Sequence, residues 1–192
     1  LGALLVHYST DYVFDGAKTD PYTESDEPRP LNAYGRSKLE GEQGIRAVDC
    51  PHVILRTSWV YAARGRNFLL TMLRLAGEGR PLRVVNDQAG APTWSRDIAQ
   101  ATTQVVAKVE KDARATYHLA AAGKTTWYGF ARRIFEMRGV SASIAAIRSE
   151  EFPTAAARPK NSVLDCGKLR RELGISIPGW ERGLGLALAE LR

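Results

Sequence analysis

The chain has 192 residues, 44% of them hydrophobic and 25% charged, with a formal net charge of +6 and a pI of about 9.5. That length holds one well-packed domain, or a domain with a small appendage, and no apolar stretch approaches the roughly 20 residues of a membrane span. Lys and Arg are spread along the whole chain rather than gathered into a run, which argues against nucleic acid and a membrane surface as partners. The locally basic "RPK" (158–160) and "KLRREL" (168–173) read as solvated surface, or as contacts for an anionic ligand such as a nucleotide diphosphate. Cys50 and Cys166 form neither a disulfide framework nor a metal spacing, and a reducing cytoplasm is the simplest home. The chain opens at Leu1, without methionine or a basic leader, inside an apolar run, and reads as a fragment.

In chain order, "ALLVHYS" (3–9) is apolar nearly throughout and predicts a buried parallel strand. A loop rich in Pro, Asp, Ser and Thr follows over 15–30, with Asp15 and Gly16 in a turn. Asn32 is placed to cap a helix over 32–48, and "HVILRTSWVY" (52–61) predicts a second buried strand. Strand, crossover helix, strand is the pattern of a parallel α/β sheet. Asn67 caps a helix over 68–79, then come a short strand (81–86) and a loop, "DQAGAPTW" (87–94). The helix over 95–109 turns Ile98, Val105, Val106 and Val109 toward one side. A strand at 115–120, a helix at 125–139 capped by Thr126 and closed by Gly139, a strand at 142–147, short elements over 161–173 and a last helix near 180–191 complete the pattern.

The chemistry is concentrated near the start. Tyr34 and Lys38 are four residues apart on the first predicted helix, so both point to one face. A tyrosine near its reference pKa of about 10 is a poor acid at neutral pH, and a neighbouring ammonium stabilises the phenolate. Thr10 closes the preceding strand, at the end where open α/β sheets place their ligand crevices. Its hydroxyl could hold a carbonyl oxygen beside the phenol while hydride reaches the carbon. A Tyr-x-x-x-Lys spacing alone is weak, but the ordered set of strand-end Ser-Thr, loop, then Tyr and Lys on the next helix is much more specific.

With these residues in place, the chain resembles the extended short-chain dehydrogenase/reductases and, within them, the dTDP-4-dehydrorhamnose reductases. The resemblance rests on "STDYVFDG" (9–16), "PYTESDEPRPLNAYGRSKLEGE" (21–42), "ILRTSWVYA" (54–62), "NFLLTMLRLA" (67–76), "VVNDQAGAPTWSRDIA" (84–99), "YHLA" (117–120) and "RPKNSVLDCGKL" (158–169). It implies reduction, with NADPH (NADH as the alternative), of the 4-keto group of a dTDP-6-deoxy sugar to give dTDP-L-rhamnose. It also implies site roles: Tyr34 as proton donor, Lys38 as its activator and as a contact, with Tyr34, for the nicotinamide ribose, Thr10 on the reacting oxygen, and Asp11 and Trp59 on the sugar. Gln88 and Thr93 lie in a loop that the family places beside the substrate, with no definite role. The implied fold is α/β: a partial doubly wound, Rossmann-like parallel sheet with a smaller α/β substrate-binding region. The implied division is 1–62 and 94–121 for the remaining part of the NADP-binding unit, and 63–93 and 122–192 for the substrate region. The family's G-x-x-G-x-x-G turn, which seats a pyrophosphate on a helix N-terminus, does not occur ahead of residue 9. The resemblance leaves a homodimer open.

Other readings stand beside these. Asp11 could serve a turn, and Trp59 could be core. His7 reads as a satisfied core histidine, and Trp94, Trp127, Phe130 and Phe135 as packing, with Trp180 as a staple at the last helix. His52 and His118 lack acidic or cysteine partners at ligand spacing, so no metal is expected. A nucleotide-sugar epimerase or dehydratase would share Tyr-x-x-x-Lys, but a dehydratase would show an acidic pair after the threonine, where here Tyr12 follows Asp11. A non-catalytic, reductase-like regulatory subunit could lose the Thr, Tyr and Lys, and all three are present.

Overall fold

A computed structural model describes residues 3–191. The expectation that the chain opens inside a strand at Leu1 lies outside the described residues. The centre is a three-stranded parallel sheet in the order β1 (Leu5–Thr10), β2 (His52–Thr57), β7 (Arg114–His118). Between the first two strands runs α1 (Ala33–Val48), which begins because the Asn32 side chain accepts a hydrogen bond from Gly35 N and ends with Asp49 in the left-handed region (φ 55°).

The middle of the chain supplies β3 (Val60–Tyr61), α2 (Phe68–Gly77), β4 (Leu82–Val85), β5 (Ala89–Gly90), β6 (Thr93–Trp94) and α3 (Ser95–Lys108). After β7 come β8 (Ala121–Ala122), β9 (Thr125–Thr126), α4 (Trp127–Arg138), β10 (Ile144–Ile147), α5 (Gly167–Leu173), β11 (Ile177–Gly179) and α6 (Trp180–Glu190). The small strands pair outside the main sheet: β3 with β6, β4 with β10 and β8 with β11 in parallel, and β5 with β9 antiparallel. The Asn67, Thr126 and Gly139 caps are where the sequence places them.

Alternation along β2 sorts the sheet's two faces. Val53 and Leu55 join Ile98, Ala101, Val105, Tyr117 and Leu119 in a core under α3, which also takes Leu169, Ile175 and Ile177 from the C-terminal segment. Arg56 points the other way and meets Glu42 of α1. A second core gathers α2, α4 and α6 around Leu69, Phe130, Ile134 and Leu184, with Leu82 and Val84 of β4.

Three expectations are corrected. The strand read at 3–9 as buried is an edge strand among the described residues, and Leu5 and Tyr8 are 41% and 42% exposed. The single strand read over 52–61 breaks in two because Trp59 adopts φ 46°, a left-handed turn that no strand continues through. Val106 is exposed. Residues 98, 101 and 105 already make the buried stripe of α3, and one further residue turns about 100° away from it.

Glu42 is fully buried and accepts two hydrogen bonds from Arg56, at 2.8 Å (Nε to Oε1) and 2.7 Å (Nη2 to Oε2), plus one from Arg46 at 2.9 Å. Burial pushes the Glu42 carboxyl up, but the guanidinium of Arg56, with help from Ser9 and Arg46, outweighs it and leaves the group below the usual range. This stability is present at neutral pH and lost as pH falls through the lowered value. Glu42→Ala strands Arg56 in the core and should lower unfolding free energy by about 3–5 kcal/mol. Arg46→Ala, at a 41%-exposed side chain, should change it by less than about 1 kcal/mol; urea denaturation at pH 7 checks both.

His118 is also buried, and burial with the Arg56 charge nearby pushes its imidazole down to about 3. The unfolded chain binds a proton on this histidine below about pH 6.5, and the folded chain does not. The contribution of His118 to stability therefore falls as pH drops below about 6.5, so in urea titrations across pH 4–7 the stability of His118→Asn relative to the parent should rise as pH falls.

Candidate active site

The carboxyl end of β1 is where the predicted groups collect. Tyr34, Lys38, Glu42 and Arg46 are spaced by four on α1 and form one stripe. Glu42 fixes that stripe against β2. One turn earlier, Lys38 Nζ donates to the Tyr8 carbonyl at 2.7 Å. A turn before that, the Tyr34 ring meets the Tyr12 ring edge-on, with centroids 5.9 Å apart. The two side chains thus bracket Thr10 along residues 8–12. Tyr34 is 54% exposed and Lys38 half-buried, so both can meet a ligand. Gly35 permits this approach of helix to strand: a Cβ there would fall on the Tyr12 carbonyl oxygen and within 2.9 Å of Pro30.

Thr10 and Asp11 are 5% and 3% exposed. The Thr10 hydroxyl accepts from Tyr12 N at 3.2 Å and donates to Asp11 Oδ1 at 2.9 Å. Asp11 Oδ2 is buried and has no hydrogen-bond partner among the described residues. Burial raises the Asp11 carboxyl to about 7, against the opposing pull of the Ser162 and Thr10 hydroxyls and of the Asp11 and Tyr12 amides. A carboxyl in this state suits a site that receives a polar ligand, because its free oxygen awaits a donor.

Trp59 is held in its left-handed conformation by three neighbours. Its ring stacks on Trp127, with centroids 3.6 Å apart and planes 5° from parallel. Its Nε1 donates to Ser162 Oγ at 3.1 Å. Its edge packs on Gly90, where any Cβ would collide with the indole. A non-glycine residue at positive φ beside a candidate site is the kind of strain that functional positions hold.

Beside this pair opens a cavity of about 560 Å3, walled by Phe68, Met72, Leu82, Trp127, Phe152 and Arg158, among others. Trp127 and Arg158 bring it next to the cluster, since Trp127 stacks on Trp59 and Arg158 acts on Tyr12. Trp127, expected as packing, is therefore a cavity wall as well as the partner of Trp59. Gln88 is also among the lining residues and donates to Ser149 Oγ at 2.9 Å. Thr93 is fully buried, donating to Ala91 O and accepting from Ala121 N, both at 3.1 Å, and does not line this cavity.

Asp15 does serve its turn, accepting from Ala17 N and from the Tyr22 hydroxyl, with Gly16 at φ 75°. His7 differs from expectation: it is half-buried with Nε2 unpartnered, because Gly41 of α1 faces it and offers no side chain. Sequence reasoning missed Ser162, and left Arg158 of "RPK" between solvated surface and a contact for an anionic ligand. Both lie in "RPKNSVLD", and only the folded chain brings Ser162 across to Trp59 and Arg158 to the cavity wall. Among the described residues, no group of three or more His, Cys, Asp or Glu is arranged to hold a metal ion. For a nucleotide cofactor, Lys38 Nζ has three hydrogens and gives one to Tyr8, so two remain for a ribose diol.

Against known proteins, the family model described as "RmlD substrate binding domain" matches residues 1–192. A dTDP-4-dehydrorhamnose reductase of Burkholderia thailandensis is 44% identical over 100% of this chain and 69% of its own length. The reductase of Salmonella typhimurium is 44% identical over 99% and 66%. Among solved structures, a dTDP-4-dehydrorhamnose reductase from Bacillus anthracis in complex with NADP superimposes with a TM-score of 0.93 at 38% identity, over 98% of this chain and 66% of that one. A UDP-glucuronic acid 4-epimerase from Bacillus cereus shares the fold at 22% identity and a TM-score of 0.82. The chain spans about two thirds of the length of the reductases it matches. Matched along its whole length by one family and set around the same α/β sheet, the chain belongs to the dTDP-4-dehydrorhamnose reductases of the extended short-chain dehydrogenase/reductase superfamily.

Proposed function

We propose that this chain forms the substrate-binding and proton-delivering part of an NADPH-dependent reductase that converts dTDP-4-dehydro-L-rhamnose to dTDP-L-rhamnose. The observation that carries this reading is the convergence of Tyr34 and Lys38, from successive turns of α1, on the end of β1 that holds Thr10 and Asp11. When bound, the nicotinamide supplies hydride to the sugar's keto carbon. The chain's own task is the proton. The exposed Tyr34 hydroxyl gives it to the keto oxygen, which becomes the new alcohol, and the ammonium of Lys38 one turn away stabilises the phenolate left behind. The two free hydrogens of Lys38 and the Tyr34 hydroxyl are the contacts offered to the nicotinamide ribose.

Thr10 enters by rotation. Its hydrogen lies on Asp11 Oδ1, so bonding the keto oxygen requires that hydrogen to swing outward. Asp11 then accepts from sugar hydroxyls instead, with its unpartnered Oδ2 ready for one of them. The stacked Trp59 and Trp127 form an apolar wall for the deoxy-sugar, and the adjoining cavity of about 560 Å3 has the size of ordinary ligand sites. It takes the thymidine diphosphate, with Arg158 and Arg80 toward the phosphates. In this division, residues 1–62 and 94–121 belong with the cofactor, and 63–93 and 122–192 with the nucleotide sugar.

The experiment is NADPH oxidation by the intact enzyme with the 4-keto sugar nucleotide. Tyr34→Phe keeps the ring against Tyr12 and removes the proton, so kcat should fall by about 10²–10⁴-fold with substrate binding nearly unchanged. Near wild-type turnover in that variant would show that the proton comes from elsewhere. Lys38→Met should also weaken NADPH binding by calorimetry, since two ribose contacts go with the ammonium. Thr10→Val should lower kcat by a smaller factor than Tyr34→Phe, because a hydrogen bond is lost and the acid remains.

A further inference from the structure

We propose that Ser162 is a positioning residue for Trp59, holding its indole in place against Trp127. This rests on the reductase reading for what Trp59 contacts, but the placement itself is independent of it. Ser162 is 2% exposed. Its hydroxyl accepts from Trp59 Nε1 at 3.1 Å and donates to the Ala89 carbonyl at 3.3 Å. The second bond is long, so the hydroxyl hydrogen is weakly committed and free to turn.

The backbone that carries Ser162 is fixed from both sides. Ser162 N donates to Ala89 O, and Ala89 N to Lys160 O, both at 2.8 Å. On the other flank Tyr22 N donates to Val163 O at 2.8 Å, and Asp165 N to Tyr22 O at 2.7 Å. Asn161 Nδ2 reaches the carbonyls of Lys18 and Asp20. The serine oxygen therefore has a fixed address between β5 and the loop after β1.

That address explains how Trp59 keeps its conformation. Trp59 sits at φ 46°, a conformation that needs external support. Stacking on Trp127 sets the tilt of its ring, but a flat stack permits sliding, and the Nε1 bond to Ser162 sets where along Trp127 the indole stops.

The test is Ser162→Ala, with Ser162→Thr as the variant that retains the hydroxyl, in the intact protein with 15N-labelled tryptophan. Two readouts are followed: exchange of the Trp59 indole proton, and steady-state kinetics with NADPH and the 4-keto sugar nucleotide. In Ser162→Ala the indole proton should exchange roughly five- to tenfold faster, as expected for loss of one neutral hydrogen bond. KM should rise more than kcat falls. Ser162→Thr should restore the slow exchange. An unchanged indole exchange rate in Ser162→Ala would overturn the proposal. Absence of NADPH oxidation in the parent protein would instead sink the reductase reading, and the exchange readout would still decide the role of Ser162.

Discussion

The contact on which the site depends is the ion pair between Arg56 in the middle strand and Glu42 on α1, 3% and 0% exposed at their side chains. A buried pair of this kind adds little stability over apolar residues of similar volume, because desolvation offsets most of the attraction. Its effect here is geometric. A guanidinium meeting a carboxylate through two parallel hydrogen bonds fixes both position and orientation. The α1 stripe is thereby locked in rotation about its axis and in height along the sheet. Lys38 then falls on the Tyr8 carbonyl and Tyr34 on the Tyr12 ring, because each lies one turn of about 6 Å further along. Arg56 also rests over the Phe14 ring and beside His118, so the pair ties α1 to the loop that follows Thr10 as well.

The second constraint lies around Trp59, where order comes from strain held in place. Trp59 interrupts what would be one long strand and turns its indole onto Trp127. Gly90 leaves room for the ring, and the segment around Ser162 holds its nitrogen. Helices α2, α4 and α6 form the core behind this wall. The Tyr34 and Lys38 face of α1 and the Trp59–Trp127 stack are thus anchored by different parts of the fold, the first by the central sheet and the second by the helical core.

Much of this was legible from local chemistry. Helix starts at Asn32, Asn67 and Thr126, the stop at Gly139 and the turn at Asp15 and Gly16 are each set by a side chain or a glycine within a few residues, so short sequence windows carry them. Tyr34 and Lys38 share a face because a helix repeats every 3.6 residues. Thr10 ends a strand because the apolar run ends there. What was not legible depended on distance in sequence. Asp11 read as a sugar contact with a turn as the alternative, and its burial and unpartnered oxygen are visible only in the fold. Trp127 looked like packing, and half of its role is packing; the other half exists only because Trp59, 68 positions earlier, turns back onto it.

By itself the sequence determined the order of the main elements and the caps, because these rest on periodicity and on neighbours close in the chain, while its motifs carried the family and pointed to Tyr34, Lys38 and Thr10 as candidate site residues. Tertiary structure decided the rest. It placed β1 at the edge of the described sheet and broke the second strand at Trp59. It also paired Glu42 with Arg56, 14 residues away, and brought Ser162 across 103 positions to Trp59. The physical reason is that burial, countercharge and backbone strain are properties of a position in space. A carboxylate, a serine hydroxyl or a tryptophan acquires its role only when the folded chain decides what surrounds it.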